Sequence, residues 1–162
     1  MDVKSDFLNG DINEDIYMQQ PSSFINVESS SLVCKLQKSL YGLKQAPMDW
    51  YDKIDTYLLN HGFKSCISDP NLYVKHVDDN IIIIVLYVDD LIITGRQLPL
   101  IQNMKSELQK KFEMTDRSIL HYFLGLQIWH IEYGILLSQP KYAMNLLAHF
   151  HMSDCKYAPT PF

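Results

Sequence analysis

Two adjacent carboxylates between two apolar runs constrain the fold of this chain more than any other feature. Asp89 and Asp90 lie between two apolar runs, residues 81–88 and residues 91–94, which are rich in isoleucine and valine. Runs of this length and β-branched content are typical of buried strands. Because the runs are separated only by the two aspartates, the sequence predicts a β-hairpin with both carboxylates at its tip.

The tip raises an electrostatic question. Two ionised carboxylates at roughly 5 Å and an effective dielectric near 20 repel by about 3 kcal/mol. A bound Mg²⁺ ion would remove this cost, because it takes oxygen ligands and usually combines one or two carboxylates with substrate phosphates. The alternative is a solvated turn, since aspartate is also a common turn residue. The buried strands on both sides of Asp89 and Asp90 favour the metal site.

The remainder of the chain mixes strands and helices. Helical spacing predicts a helix that begins near Pro47 and is capped by Gly62, and another over 98–112. A third is predicted to begin at Pro140 and to bury Tyr142, Leu146 and Phe150. Strand patterns cover residues 1–3, 16–19, 32–36, 72–76, 122–131 and 135–138, and a linker-like tail covers 158–162. This order predicts an α+β fold, an antiparallel sheet with helices packed on one face.

Charge and cysteine content narrow the function classes. The chain has 162 residues and a formal net charge of −5, which argues against a stand-alone nucleic-acid-binding module with a basic surface. The charge is still compatible with an enzyme that holds nucleic acid through other segments. Three widely spaced cysteines indicate reduced thiols and an intracellular location. A zinc site at His149, His151 and Cys155 lacks a fourth ligand.

Membrane insertion is not expected. The N-terminus has no basic stretch followed by an apolar one, as a signal peptide would. The longest apolar run, at 81–88, is far shorter than the roughly 20 residues of a membrane-spanning helix.

A third carboxylate, Asp2, opens a series of motifs. The segments Asp2-Val3-Lys4-Ser5 and Phe7-Leu8-Asn9-Gly10-Asp11 resemble the first catalytic motif of copia-type LTR retrotransposon reverse transcriptases, and Tyr87-Val88-Asp89-Asp90 resembles their metal-binding hairpin. Further similar blocks follow in the family's order over almost the whole chain. These blocks are Tyr17-Met18-Gln19-Gln20-Pro21 with Phe24, Leu40-Tyr41-Gly42-Leu43-Lys44-Gln45-Ala46-Pro47 with Trp50-Tyr51, Tyr122-Phe123-Leu124-Gly125, Leu137-Ser138-Gln139, Lys141-Tyr142 and Thr160-Pro161.

The resemblance implies a polymerase palm with incomplete fingers and thumb, and an RNA-directed DNA polymerase activity, a nucleotidyl transfer. Two Mg²⁺ ions, which Mn²⁺ could replace, would activate the primer 3′ hydroxyl and stabilise the leaving pyrophosphate. By the same resemblance Asp2 and Asp89 would bridge the ions, and Asp90 would be a third, weaker ligand. The isolated chain is expected to be inactive or weakly active.

The resemblance also implies roles for residues around the carboxylates. Phe7 would stack under the deoxyribose and exclude a 2′ hydroxyl, and backbone amides at 4–6 would face the triphosphate. Each residue also has a plainer interpretation: Phe7 as core, Lys44 as solvated surface, residues 122–124 as a buried strand. The implied nucleotide-binding residues are Val3, Lys4, Ser5, Asp6 and Phe7, and the implied template and primer residues are Lys44, Gln45, Tyr122, Phe123, Leu124 and Gly125.

On this basis residues 1–114 are a partial palm, 115–139 a primer-grip-like hairpin, and 140–162 the start of a thumb or connection segment. The implied partners are dNTPs, an RNA or DNA template with a DNA primer, and the rest of a Pol polyprotein. The implied location is a cytoplasmic virus-like particle. Asp2 is expected on a terminal strand at the edge of the sheet.

Several positions depart from the family pattern. Asp6 replaces a small residue and would repel the triphosphate, Met48-Asp49 remove a positive charge, and Arg117-Ser118 replace an apolar residue and a glycine. If that glycine has a positive φ, Ser118 is expected to be strained. Two further hypotheses therefore stay open: an inactive, degenerate relic of a retroelement, and a binding module that reuses the palm surface.

Overall fold

The computed structural model describes residues 1–26 and 31–156, which fall into two compact units divided between Arg117 and Ser118. The tail at 158–162, with Thr160-Pro161, lies outside the described residues. The assignment of 1–114, 115–139 and 140–162 to parts of a polymerase stays a prediction. No helix within the described residues is long and apolar enough to cross a membrane.

The first unit contains eight strands and two α-helices among its described residues. Short 3-10 turns at Asp6–Asn9 and Ser22–Phe24 complete it. In chain order the elements are β1 (Asp2–Val3), β2 (Tyr17–Gln19), β3 (Val33–Lys35), α1 (Ala46–Asn60), β4 (Lys64–Ser65), β5 (Leu72–Val77), β6 (Asn80–Tyr87), β7 (Asp90–Gly95), α2 (Leu98–Lys111) and β8 (Met114–Thr115).

Six of these strands form one antiparallel sheet in the order β4-β5-β6-β7-β1-β8. The expectation that Asp2 lies at a sheet edge is wrong, because β1 lies between β7 and β8. The Val3 amide donates to the Asp89 carbonyl at 2.9 Å, and the Lys4 amide donates to the Glu113 carbonyl at 2.8 Å. The strand that carries Asp2 is therefore held from both sides.

One hydrophobic core joins this sheet to both helices. Along β6 the side chains alternate, and Ile82, Ile84 and Leu86 are buried on one face as the period of two requires. The same cluster contains residues of α1 and α2 at helical spacing. The helical members are Trp50, Ile54 and Leu58 of α1 and Met104 and Leu108 of α2. This mixture of helices with antiparallel strands confirms the α+β class.

The second unit contains β9 (Tyr122–Phe123), β10 (Leu126–Ile131), β11 (Gly134–Ser138) and α3 (Pro140–His149), with its sheet in the order β11-β10-β9. The prediction of one strand over 122–131 is wrong, because Leu124 (φ 49°) and Gly125 (φ 82°) turn the chain there. The prediction that α3 buries its apolar face is also wrong. Its apolar side chains Tyr142, Leu146 and Phe150 are exposed, since no described residue covers them.

Candidate active site

The β6–β7 hairpin turns on two residues, Val88 and Asp89, because Tyr87 and Asp90 are the last pair of its ladder. Val88 has φ 55°, a left-handed conformation that is sterically unfavourable for a β-branched residue. The Trp50 indole N–H donates to the Val88 carbonyl at 2.7 Å. Trp50 is only 2% exposed, so this buried side chain of α1 supports the strained tip from the core side.

Strand β1 brings the third carboxylate beside this tip. Asp2 is the register partner of Asp90, and the Leu91 amide donates to the Met1 carbonyl at 2.8 Å. Together with the bond from the Val3 amide to Asp89, these contacts fix the backbones of Asp2, Asp89 and Asp90 on adjacent strands. The structure therefore assembles the predicted three acidic residues at one end of the sheet.

A second pair of aspartates provides an internal comparison. Asp78 and Asp79 form the β5–β6 turn at the opposite end of β6, where Val77 pairs with Asn80. Both are exposed, and aspartate tolerates the positive φ of 52° found at Asp78. Asp78-Asp79 thus fits the solvated-turn interpretation. Asp89 and Asp90 differ from it, because both are only half-exposed and a third carboxylate lies on the next strand.

The electrostatics of the tip reflect crowding of like charges. Burial raises the pKa of Asp90, and the neighbouring carboxylates of Asp89 and Asp2 raise it further, while Arg117 opposes them. The Arg117 guanidinium donates to Asp2 Oδ1 at 2.7 Å. A cation therefore already lies against one of the three carboxylates.

The acidic residues suit a hard divalent cation in donor chemistry and in strand placement, and their mutual repulsion is what such a cation would relieve. As the side chains stand, no three His, Cys, Asp or Glu residues in the described part of the chain converge to hold a metal ion. This holds for Asp2, whose Oδ1 accepts a hydrogen bond from Arg117, and also for His149, His151 and Cys155.

The segment after β1 differs in part from its predicted role. The Lys4 amide is used in the sheet, and its ammonium pairs with Glu113 at 3.0 Å, so neither is directed at a triphosphate in this structure. Ser5 has φ 51° and precedes the 3-10 turn that carries Asp6 and Phe7. This geometry leaves residues 5–7 as the part of the predicted nucleotide segment that is not in the sheet.

Asp6 and Phe7 both contact Tyr41. The Asp6 carboxyl is buried and accepts a hydrogen bond from the Tyr41 hydroxyl at 2.6 Å. The Phe7 ring is half-buried and lies with its centroid 4.9 Å from that of Tyr41. Asp6 therefore does not project freely toward a triphosphate, as its replacement of a small residue had suggested.

The segment before α1 contains the predicted template residues. Lys44 is exposed in a turn, and the Gln45 side-chain amide donates to Glu14 at 3.2 Å. Asp49, another departure from the family pattern, accepts a hydrogen bond from the buried Ser39 hydroxyl. The Asp49 carboxylate thereby makes a hydrogen bond within the fold.

The residues predicted to hold the primer belong to the second unit. Tyr122 and Phe123 form β9, and Leu124-Gly125 form the tight turn into β10, so the block Tyr122-Phe123-Leu124-Gly125 is a hairpin turn. Ser118 has φ 59°. The positive φ on which the expected strain depends is therefore present at Ser118, and the strain itself stays a prediction.

Sequence reasoning missed the contacts of Trp50, Tyr41 and Arg117. The sequence indicated Trp50 only as part of a family block, and its indole in fact supports the Val88 turn. The sequence did single out the other two residues. Tyr41 is a polar aromatic residue within a family block, and Arg117 is a departure from the family pattern. Neither signal identifies a partner, because Asp6 and Asp2 are 35 and 115 positions away.

Comparisons with known proteins identify the family of the chain. The family model for reverse transcriptase (RNA-dependent DNA polymerase) matches residues 1–162. The chain is 42% identical over 161 residues to the Retrovirus-related Pol polyprotein from transposon RE1 of Arabidopsis thaliana, covering 99% of this chain and 11% of that protein. It is 42% identical over 164 residues to the corresponding polyprotein from transposon TNT 1-94 of Nicotiana tabacum, covering 99% and 12%.

A putative transposon Ty5-1 protein of Saccharomyces cerevisiae is 35% identical over 162 residues, which are 99% of this chain and 53% of that protein. No solved structure matches the chain. The chain spans only 11% to 12% of the length of the Pol polyproteins named above. On the whole-chain family match and these relatives, the chain belongs to the reverse transcriptase family, and within it to the copia-type retrotransposon Pol polyproteins.

Proposed function

We propose that this chain is the nucleotidyl-transfer centre of a copia-type reverse transcriptase, part of the polymerase palm that extends a DNA primer on an RNA or DNA template. The observation that carries the proposal is the pairing of Asp2 with Asp90 beside the Asp89 turn. A fold with only a solvated acidic turn has no need of this third carboxylate, as the Asp78-Asp79 turn illustrates.

Asp2, Asp89 and Asp90 would hold divalent cations, Mg²⁺ or Mn²⁺ as a substitute. When bound, such ions would neutralise the triphosphate and lower the pKa of the primer hydroxyl. The protein's own contribution is rigid placement: two neighbouring strands hold β1, and Trp50 supports the tip. Catalytic ligands must be held to within about 0.5 Å, which such a lattice of backbone hydrogen bonds favours.

The nucleotide would lie against residues 5–7. In this proposal Phe7 stacks under the deoxyribose and selects against a 2′ hydroxyl, and the backbone of Ser5 and Asp6 faces the triphosphate. Lys44 and Gln45 would contact the template strand or incoming nucleotide, and the hairpin turn at 122–125 would contact the primer. Val3 contributes by burial in the core under the site.

A second candidate is an inactive relic, and the Arg117–Asp2 ion pair is the observation that favours it. A guanidinium on Asp2 competes with a metal ion for the same oxygen. The net charge of −5 also disfavours nucleic-acid binding by the chain alone, so a free-standing binding module is the weakest of the three.

The test is Mg²⁺-dependent extension of a DNA primer on an RNA template, by this chain and by a longer Pol segment that contains it. Asp89→Asn should abolish incorporation, and Asp79→Asn, the same change at the other end of β6, should not. Extension by the longer segment alone would indicate that flanking segments are required. Absence of extension by both folded proteins would support the relic.

A further inference from the structure

Tyr41 contacts two consecutive residues of the nucleotide segment from a distant part of the chain. Its ring lies 4.9 Å from that of Phe7 at an interplanar angle of 53°, and its hydroxyl donates to Asp6 at 2.6 Å. Tyr41 is 57% exposed, whereas Asp6 is only 4% exposed. A solvent-facing tyrosine therefore closes over a buried carboxylate and supports the aromatic ring next to it.

The buried Asp6 carboxylate needs this partner, because an ionised group removed from water is costly unless it is hydrogen-bonded. The raised pKa of Tyr41 agrees with a hydroxyl that donates. It is raised to about 12 by the hydrogen bond to Asp6, by burial, and by the charges of Asp6 and Asp89.

We propose that Tyr41 is a positioning residue for nucleotide selection: its ring fixes Phe7 against the sugar, and its hydroxyl holds the Asp6 charge away from the triphosphate. This inference rests on the proposed function. It also explains how a site of this kind accommodates an aspartate where a small residue is usual. The two contacts make separate predictions, because one acts on the sugar and the other on the phosphates.

Removal of the ring and removal of the hydroxyl should therefore differ. Tyr41→Leu releases Phe7, so the preference for dATP over ATP should fall about tenfold, as expected when an aromatic contact and its burial are lost. Tyr41→Phe keeps the ring and leaves Asp6 without its donor. Affinity for both nucleotides should then fall about tenfold, the scale of a hydrogen bond to a charged group, with the preference unchanged.

The experiment is calorimetric titration of the full chain with Mg²⁺–dATP and Mg²⁺–ATP in the presence of a primer–template. Each variant is also measured in an Asp6→Ser background, where the buried charge is absent. Tyr17→Leu, a similarly exposed tyrosine of β2 at 55%, is the matched control. Circular dichroism melts verify that every variant is folded.

The inference is supported if Tyr41→Leu lowers the dATP preference, Tyr17→Leu does not, and Tyr41→Phe has no further effect once Asp6 is serine. It is overturned if Tyr41→Leu leaves the preference unchanged, or if Tyr41→Phe weakens binding equally in the Asp6→Ser background. A wild-type chain that binds both nucleotides equally overturns the role of Phe7 itself. One that binds neither overturns the inference and the nucleotide site together.

Discussion

The Arg117 guanidinium lies 2.7 Å from Asp2 Oδ1, so a cation of the chain itself contacts a carboxylate that we assign to metal binding. The Arg117 side chain is 64% exposed and that of Asp2 is 23% exposed. Ion pairs with this exposure contribute about 0.2–1 kcal/mol. A divalent cation can therefore displace Arg117, but at a measurable cost in affinity.

Replacing Arg117 by leucine should tighten Mn²⁺ binding by up to about fivefold, because the competing pair contributes no more than about 1 kcal/mol. Electron paramagnetic resonance of free Mn²⁺ measures this affinity and does not require the protein to be enzymatically active. Arg96→Leu is the control, since Arg96 follows the other end of β7, roughly 20 Å away, and removes the same charge. Equal tightening in both variants would mean that only net charge matters.

Replacing Trp50 by phenylalanine should destabilise the fold by about 1–3 kcal/mol, because the Val88 carbonyl loses its indole donor and the core loses volume. Urea unfolding followed by far-UV circular dichroism gives the change in unfolding free energy. The matched change Trp129→Phe affects a side chain that is 51% exposed and should cost less than about 0.5 kcal/mol. Similar losses in both variants would contradict a supporting role for Trp50.

Replacing Ser118 by glycine should raise the unfolding free energy by about 1 kcal/mol relative to Ser118→Ala, because glycine lacks the Cβ that makes φ 59° unfavourable for alanine. Thermal melts of the two variants provide the comparison. Alanine keeps the left-handed cost and removes the hydroxyl, so it isolates the backbone term. If the two variants melt together, the positive φ at this position stores no strain.

The raised pKa of Asp90 predicts a pH-dependent stability in metal-free buffer. The folded state holds the Asp90 proton more tightly than the unfolded state, so this contribution is present below the ordinary value of 3.8 and is lost as pH rises through the raised value. Asp90→Asn should therefore be more stable than the wild type at neutral pH. The advantage should shrink toward acid pH.

Urea midpoints measured with EDTA across the acid-to-neutral range follow this difference. Asp79→Asn removes the same charge at the exposed turn and controls for net charge. An advantage of Asp90→Asn that stays constant with pH would exclude the titration of Asp90 as its cause.

Local sequence patterns were enough to predict the strands and helices whose own apolar residues follow a strand or helix period. Residues 81–94 alternate and turn within a short span, so the hairpin and the pairing of its two strands followed from the sequence. The α1 and α2 faces followed from their helical spacing. The acidic tip was predicted with a shift of one residue, because the turn consists of Val88 and Asp89 and Asp90 is already the first residue of β7.

Other features depend on partners that no local pattern encodes. Strands β1 and β8 are two residues long, too short for a period, so the placement of Asp2 inside the sheet was missed. The turn at Leu124 was missed because a leucine at positive φ is uncommon. The apolar face of α3 was predicted correctly as a pattern, but its burial requires a covering surface that the described residues do not provide.

The position of β1 between β7 and β8 has a consequence for the order of folding. Asp2 precedes both of its neighbouring strands in the chain and is made before them, because these strands are completed only at Gly95 and Thr115. Contacts of such long sequence separation form late, because the intervening chain must first close into a loop. The β6–β7 hairpin can therefore form during synthesis before Asp2 is held beside it. A chain that stops before Met114 would carry all three aspartates but lack the strand that secures the first of them.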